Sequence, residues 1–353
     1  MRAILHRRIS VVLSVVLAAV ALAIGPAGAA RPSHATSGSR PDKLRLGLFP
    51  NLTHAPALVG VERGFFANAL GPGVKLRTYT FAAGPTAVEA LFSGAIDAAY
   101  IGPGPAVTAW VRSKGKAIRI VAGSTSGGAF LVVRPGIDSA ADLRGATLAT
   151  PQLGGTQDVA LRHWLRTNGM RTTLEGGGDV SIVPQENSQT LETMRSGGID
   201  GAWVPEPWAT RLVTEAGARV LVDERDLWPR HSFTTTVLVV RTRFLEDHPA
   251  VVEALLRGHT EAVAFTVARP AMARDAANRQ IAKLTGKRLP ASVINRAWAN
   301  LTFTNDPGIA TIRAGARHAA DLGIIDAADL DGIEDLTLLK RVLARADGRR
   351  VDG

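Results

Sequence analysis

Cysteine is absent from all 353 residues. That excludes disulfides, thiolate nucleophiles, iron–sulfur clusters, cysteine zinc sites and lipid attachment through a lipobox thiol. Aromatic residues make up only 5% of the chain, too few for a platform on which single-stranded nucleic acid stacks. Long basic blocks are missing too. The formal net charge is +10, but the Lys and Arg residues stand mostly singly, so the excess reads as solvated surface that also speeds encounter with an anion. There is no G-x-x-x-x-G-K-[ST], no G-x-S-x-G and no H-E-x-x-H. His54, His163, His231, His248, His259 and His318 share no metal-binding spacing. Past the first thirty residues no apolar run approaches the twenty needed to span a bilayer.

What is present begins with a repeat. Ser93-Gly94-Ala95-Ile96-Asp97-Ala98-Ala99-Tyr100-Ile101 returns as Ser196-Gly197-Gly198-Ile199-Asp200-Gly201-Ala202-Trp203-Val204, at a constant offset of 103 residues. Glu89 aligns with Glu192 at the same offset. A helix–turn–strand unit in each half predicts two similar lobes, and two lobes imply a cleft for a small ligand. Asp97 and Asp200 fall in the tight turns of the unit, where an Asp commonly bonds its own turn backbone, so both are read as structural. Tyr100 and Trp203 occupy equivalent strand positions and are read as core.

The chain opens with Arg2, Arg7 and Arg8, an apolar stretch from Ile9 to Ile24, and Ala27-Gly28-Ala29. This is the pattern of a cleaved export signal over 1–29, with Ala30 as the alternative cleavage point. Residues 30–42 are polar and rich in Ser, Pro and Gly, the composition of a flexible linker. The exported protein is expected to be periplasmic or extracellular.

Thereafter short apolar runs alternate with helix signals. Strands are predicted at Leu44–Phe49, Val74–Tyr79, Ala98–Ile101, Ile118–Ala122, Phe130–Val133, Ala146–Ala149, Val180–Val183, Ala202–Val204, Val220–Val222 and Thr234–Val240. Helices are predicted between them, with a wholly helical pattern from Arg241 onward. This rhythm is that of an α/β protein whose sheets carry helices on both faces. The predicted first lobe is discontinuous, 43–130 plus 235–345; the second is 131–234; 346–353 form a tail.

Candidate binding residues cluster where strands end and helices begin. A helix N-terminus offers free N–H groups and partial positive charge, enough to hold an anion without a charged side chain. Such turns lie at Asn51–Ala55, Gly84-Pro85-Thr86, Gly102–Gly104, Gly154-Gly155-Thr156-Gln157 and Pro205–Trp208. The candidates are Asn51, His54, Gly84, Thr86, Gly102, Ser124, Ser126, Gly155, Thr156, Gln157, Glu206 and Trp208. Alternatives stand beside several of them. Ser124 and Ser126 also suit a polar turn, His54 a helix cap, and Trp208 an aromatic core. Glu206 either caps its helix or meets a ligand amine. No catalytic, metal or cofactor site is indicated.

The ordered set Gly47–Pro56, Glu62–Phe66, Ser93–Gly102, Asp142–Gly145 and Pro205-Glu206-Pro207-Trp208 resembles the periplasmic solute-binding proteins of ABC transporters for aliphatic sulfonates, taurine, nitrate and thiamine precursors. The resemblance spans roughly residues 43–345. It implies a two-lobed type II binding-protein fold, reversible ligand binding without turnover, and hinge closure between lobes. It further implies a monomer that binds a small anion, foremost a sulfonate, and delivers it to a membrane permease, with no nucleic-acid partner. An enzyme of the thiamine-pyrimidine synthase type looks like this fold, but it uses a cysteine-rich motif that this chain lacks. A regulatory sensor would need a DNA-binding helix-turn-helix ahead of the lobes, and none precedes them.

Overall fold

Leu44, Leu46 and Leu48 alternate along the first strand, and all three are fully buried. Such a side chain contributes about 2 kcal/mol on leaving water, and the same alternation sets which face of the strand meets helices. The computed structural model describes residues 41–351. The predicted export signal, most of the linker and the end of the tail lie outside the described residues.

Eleven strands occur among the described residues: β1 Lys43–Leu48, β2 Lys75–Thr80, β3 Ala98–Ile101, β4 Ile118–Gly127, β5 Ala129–Val133, β6 Thr147–Thr150, β7 Ser181–Pro184, β8 Gly201–Pro205, β9 Arg219–Asp223, β10 Thr234–Arg241 and β11 Leu301–Phe303. The helices are α1 Ala55–Glu62, α2 Phe65–Leu70, α3 Gly84–Phe92, α4 Pro103–Arg112, α5 Thr156–Thr167, α6 Asn187–Arg195, α7 Trp208–Glu215, α8 Thr242–Asp247, α9 Pro249–Ala268, α10 Pro270–Thr285, α11 Ala291–Trp298, α12 Ile309–Asp321 and α13 Thr337–Val351.

The strands form two sheets, ordered β11-β4-β10-β3-β1-β2 and β7-β6-β8-β5-β9. Leaving out the edge strand β11, the first reads β2-β1-β3-β10-β4, the same topology as the second. In each, two parallel pairs surround the first strand of the set, and a strand from the far side of the crossing enters antiparallel. The internal repeat is thus a repeat of sheets. Each sheet is covered by apolar clusters on both faces.

The two Asp residues of the repeat do not bond their own turns. Asp97 accepts from the backbone N–H of Arg45 at 2.9 Å, and Asp200 accepts from that of Thr147 at 2.7 Å. Each therefore ties the start of β3 or β8 to the neighbouring β1 or β6. Arginines clamp both: Arg45 and Arg241 on Asp97, Arg134 on Asp200. Tyr100 and Trp203 are fully buried. Their polar ends are satisfied, Tyr100 Oη with His259 Nδ1 at 2.7 Å and Trp203 Nε1 by donating to Glu224 at 2.7 Å.

Two expectations are corrected. The strand predicted at Ile118–Ala122 runs on to Gly127 as the end of β4, because it finds partners on both sides: Thr125 opposite Thr236 of β10 and Phe303 of β11. Ser and Thr lower the apolarity of a strand without weakening its backbone ladder. The segment after Arg241 is not wholly helical, since Leu301–Phe303 supplies β11.

The chain crosses between the sheets twice, at Gly127–Gly128 and just before Thr234. The two crossings are bonded: Gly127 N–H donates to Phe233 O at 3.1 Å, and Ser126 Oγ to the same oxygen at 2.8 Å.

Candidate functional site

The carboxyl ends of β1, β3, β6 and β8 all open onto one cavity between the two sheets, the position at which open α/β sheets bind ligands. Its wall comprises Phe49, Asn51, Thr53, His54, Ala82, Ala83, Gly84, Gly102 and Pro105 from the first lobe. Pro151, Gln152, Gly155, Thr156, Gln157, Asn187 and Pro205 come from the second, and Thr235 and Thr236 follow the return crossing. The N-terminal ends of α3, α4, α5 and α6 and the turn Asn51–His54 that leads into α1 all border it, so four helix N-termini converge on the same space. Among the described residues no Asp, Glu, Lys or Arg lines it. The field inside is therefore set by backbone N–H groups and neutral side chains, a combination that favours negative charge.

His54 illustrates how the sequence builds a neutral donor. It ends the short turn after β1 and its ring stacks on Phe49 with centroids 4.4 Å apart. Its Nδ1 accepts from the Phe49 N–H at 3.3 Å, which leaves the ring proton on Nε2. Burial pushes its pKa down to about 3. The imidazole is therefore a hydrogen-bond donor without charge across the physiological range.

The lobes touch across this cavity. Trp208, at the start of α7, donates its indole N–H to Asn51 Oδ1 at 2.9 Å. Gly104 N–H donates to Thr156 Oγ1 at 3.2 Å. Gly102 leaves room for that approach: a Cβ there would lie 2.4 Å from Thr156 Oγ1.

Of the residues named from sequence, Asn51, His54, Gly84, Gly102, Gly155, Thr156 and Gln157 line the cavity. Trp208 meets it through Asn51. Four stand elsewhere. Thr86 donates to Ala83 O at 2.8 Å, closing the first turn of α3. Ser124 is wholly buried in β4, and Ser126 bonds the return crossing; both follow from the extension of β4. Glu206 is buried and takes the capping alternative. Its carboxylate accepts from the Thr210 N–H at 3.1 Å, from Thr210 Oγ1 at 2.8 Å and from Asn300 Nδ2 of the first lobe at 2.7 Å. Burial raises its pKa, opposed by those hydrogen bonds.

Gln152, Asn187 and Thr236 line the cavity but were missed from sequence. Gln152 Oε1, Asn187 Oδ1 and Thr236 Oγ1 are buried without a hydrogen-bond partner. Such orphaned atoms are costly in an interior and mark where a ligand or water completes the bonding. Their signal was positional: Gln152 lies just past the carboxyl end of β6, and Asn187 begins α6.

Residues 37–282 match the model of the NMT1-like family. The chain belongs to that family. Relatives and structural neighbours sharpen the picture. A putative binding protein of Brucella abortus is 28% identical over 204 residues, covering 58% of this chain and 61% of that protein. The taurine-binding periplasmic protein of Escherichia coli is 30% identical over 218 residues, 61% of this chain and 64% of its own length. The matches thus span about three-fifths of the length of these curated relatives. The alkanesulfonate-binding protein SsuA of Xanthomonas axonopodis, bound to MOPS, superposes with a TM-score of 0.68 at 19% identity, covering 82% of this chain and 96% of that one. The periplasmic nitrate-binding protein NrtA of Synechocystis gives 0.72 at 18%, covering 86% and 89%. These likenesses establish the two-sheet periplasmic binding-protein fold for this NMT1-like chain.

Proposed function

We propose that the chain is the extracytoplasmic substrate-binding component of an ABC importer. It takes a small organic anion, foremost an aliphatic sulfonate or taurine, and hands it to a membrane permease without chemical change. One observation carries the reading: a cavity between two sheets on which four helix N-termini converge, lined by neutral donors and, among the described residues, by no ionisable side chain except the uncharged His54. A sulfonate stays ionised at every physiological pH, so it needs donors and not a counter-charge. The relatives support the same class, one being a taurine-binding periplasmic protein. In this reading the protein acts as a monomer in the periplasm or outside the cell, carried there by the N-terminal signal.

Native mass spectrometry of protein purified without refolding identifies a retained ligand. Isothermal titration against taurine, short alkanesulfonates, nitrate and hydrogencarbonate then ranks the class. The expected result is 1:1 binding of a sulfonate with no consumption of it. Saturable binding of nitrate or hydrogencarbonate alone overturns the sulfonate assignment, and consumption of a compound overturns the assignment as a carrier.

A further inference from the structure

The two lobes also meet away from the anion cavity. There α5 of the second lobe lies against α12 of the first, and His163 and His318 stack ring on ring. Their centroids are 3.5 Å apart and the planes differ by 7°. Trp228 stands tilted beside His318, ring centroids 5.6 Å apart. His163 Nδ1 is buried without a hydrogen-bond partner. One turn further along both helices, Arg166 donates to the Asp321 backbone oxygen and its guanidinium stands 4.0 Å from the Asp321 carboxylate.

We propose that the His163–His318 stack is an acid-sensitive latch on the closed form of the cleft: as neutral rings it holds α5 against α12, and protonation drives them apart. The inference rests on the reading of the cavity as a cleft that opens and closes around its ligand. Two neutral imidazoles stack face to face, but two imidazolium ions at that spacing repel and lose hydration.

The surroundings do not cancel the charge. Arg166 of α5 and Arg317 of α12 both oppose protonation of His318; Asp321 favours it but is already engaged by Arg166. Glu224, on the segment that follows β9, lines the same apolar space as His318, yet burial raises its pKa to about 7. Below neutrality it carries little compensating charge. Burial and the neighbouring His163 hold His318 down at about 4, and burial lowers His163 as well.

The sign follows. A ring whose pKa is lower in the closed form than in the open form favours the closed form above its open-state pKa. That preference is lost as pH falls from about 6.5 towards 4. Taking the ordinary histidine value for the open form, His318 alone shifts the closed-to-open ratio about tenfold between pH 8 and pH 5.5.

The test needs no ligand, so failure of the anion assignment leaves it standing. The chain has no cysteine, so Val267→Cys in the first lobe and Val183→Cys in the second, both exposed, accept two spin labels at defined places. The distance between labels is measured by pulsed electron resonance from pH 8 to pH 5. The expected result is a growing long-distance population below pH 6.5, absent when His163→Phe and His318→Phe are both introduced. An unchanged distance in the parent, or equal opening of the double variant, overturns the latch. Should the double variant fail to fold, imidazole NMR of the parent decides: opening must track titration of these two rings, and a midpoint at which neither titrates overturns the proposal.

Discussion

The indole N–H of Trp208 reaches Asn51 Oδ1 at 2.9 Å and joins the two lobes at the rim of the cavity. An indole nitrogen only donates, so the bond fixes the Asn51 amide with its oxygen towards Trp208 and leaves the NH₂ as the group free for a ligand. The Arg211 guanidinium lies 4.8 Å over the Trp208 ring and holds it in place.

Trp208→Phe keeps the ring and removes the donor. Affinity for a bound sulfonate should fall about three- to tenfold, the worth of one hydrogen bond, with little change in thermal midpoint. Asn51→Asp should cost far more, because a carboxylate replaces the amide donor beside the anion. Calorimetric titration with taurine, paired with a melting curve for each variant, checks both.

His54 should be silent in the pH dependence of binding and audible in that of stability. With its pKa held near 3 by burial, it does not titrate between pH 5 and 8 in the folded protein, so His54→Gln should leave the shape of the affinity profile unchanged there. In the unfolded chain the same ring titrates near 6.5. A lowered base thus withdraws stability as pH falls below 6.5, about 2–3 kcal/mol by pH 4.5. His54→Gln should flatten that acid limb in urea unfolding; an unaltered limb would contradict the neutral buried ring.

The two Asp residues of the repeat should differ in weight. Asp97 is 1% exposed and held by Arg45 and Arg241, so Asp97→Asn should cost on the order of 3 kcal/mol. The Asp200 side chain is 24% exposed with one arginine, so Asp200→Asn should cost about 1 kcal/mol. Equal losses in urea unfolding at pH 7 would show that burial does not set the difference.

Glu224 should report from the opposite direction. Burial raises its pKa to about 7. A raised acid contributes its full stability below the unfolded value of 4.5 and loses it as pH rises through 7. Glu224→Gln, which still accepts from the Trp203 indole, should match the parent at pH 4 and exceed it by on the order of 3 kcal/mol at pH 8.5.

Much of this architecture was legible. The repeat announced two similar sheets because the offset preserved both the turn and the buried strand after it. Short apolar runs marked the inner strands, since a strand covered on both faces must be apolar throughout. What escaped was polar and paired. Ser124 and Ser126 read as donors or a polar turn just past a strand, yet flanking strands on both sides carry the ladder through them, and no local signal shows that. Donors such as Asn51 and His54 were visible because they sit at helix starts. Gln152, Asn187 and Thr236 become a set only when the lobes face each other. Glu206 was resolved by its cap on Thr210, and only the fold adds Asn300, 94 positions away, as a further partner.

The twin crossings at Gly127–Gly128 and Phe233 carry a mechanical consequence. They run side by side and are bonded to one another, so in the proposed reading of a cleft that opens and closes they form a single joint, with rotation about the line they share as its soft coordinate. Gly127 and Gly128 both sit at positive φ, 76° and 72°, where a side chain would stiffen that coordinate. With one axis, the gap at the anion cavity and the gap at the histidine stack are two readings of the same angle. Whatever sets the aperture at one of these neighbouring gaps thereby sets it at the other.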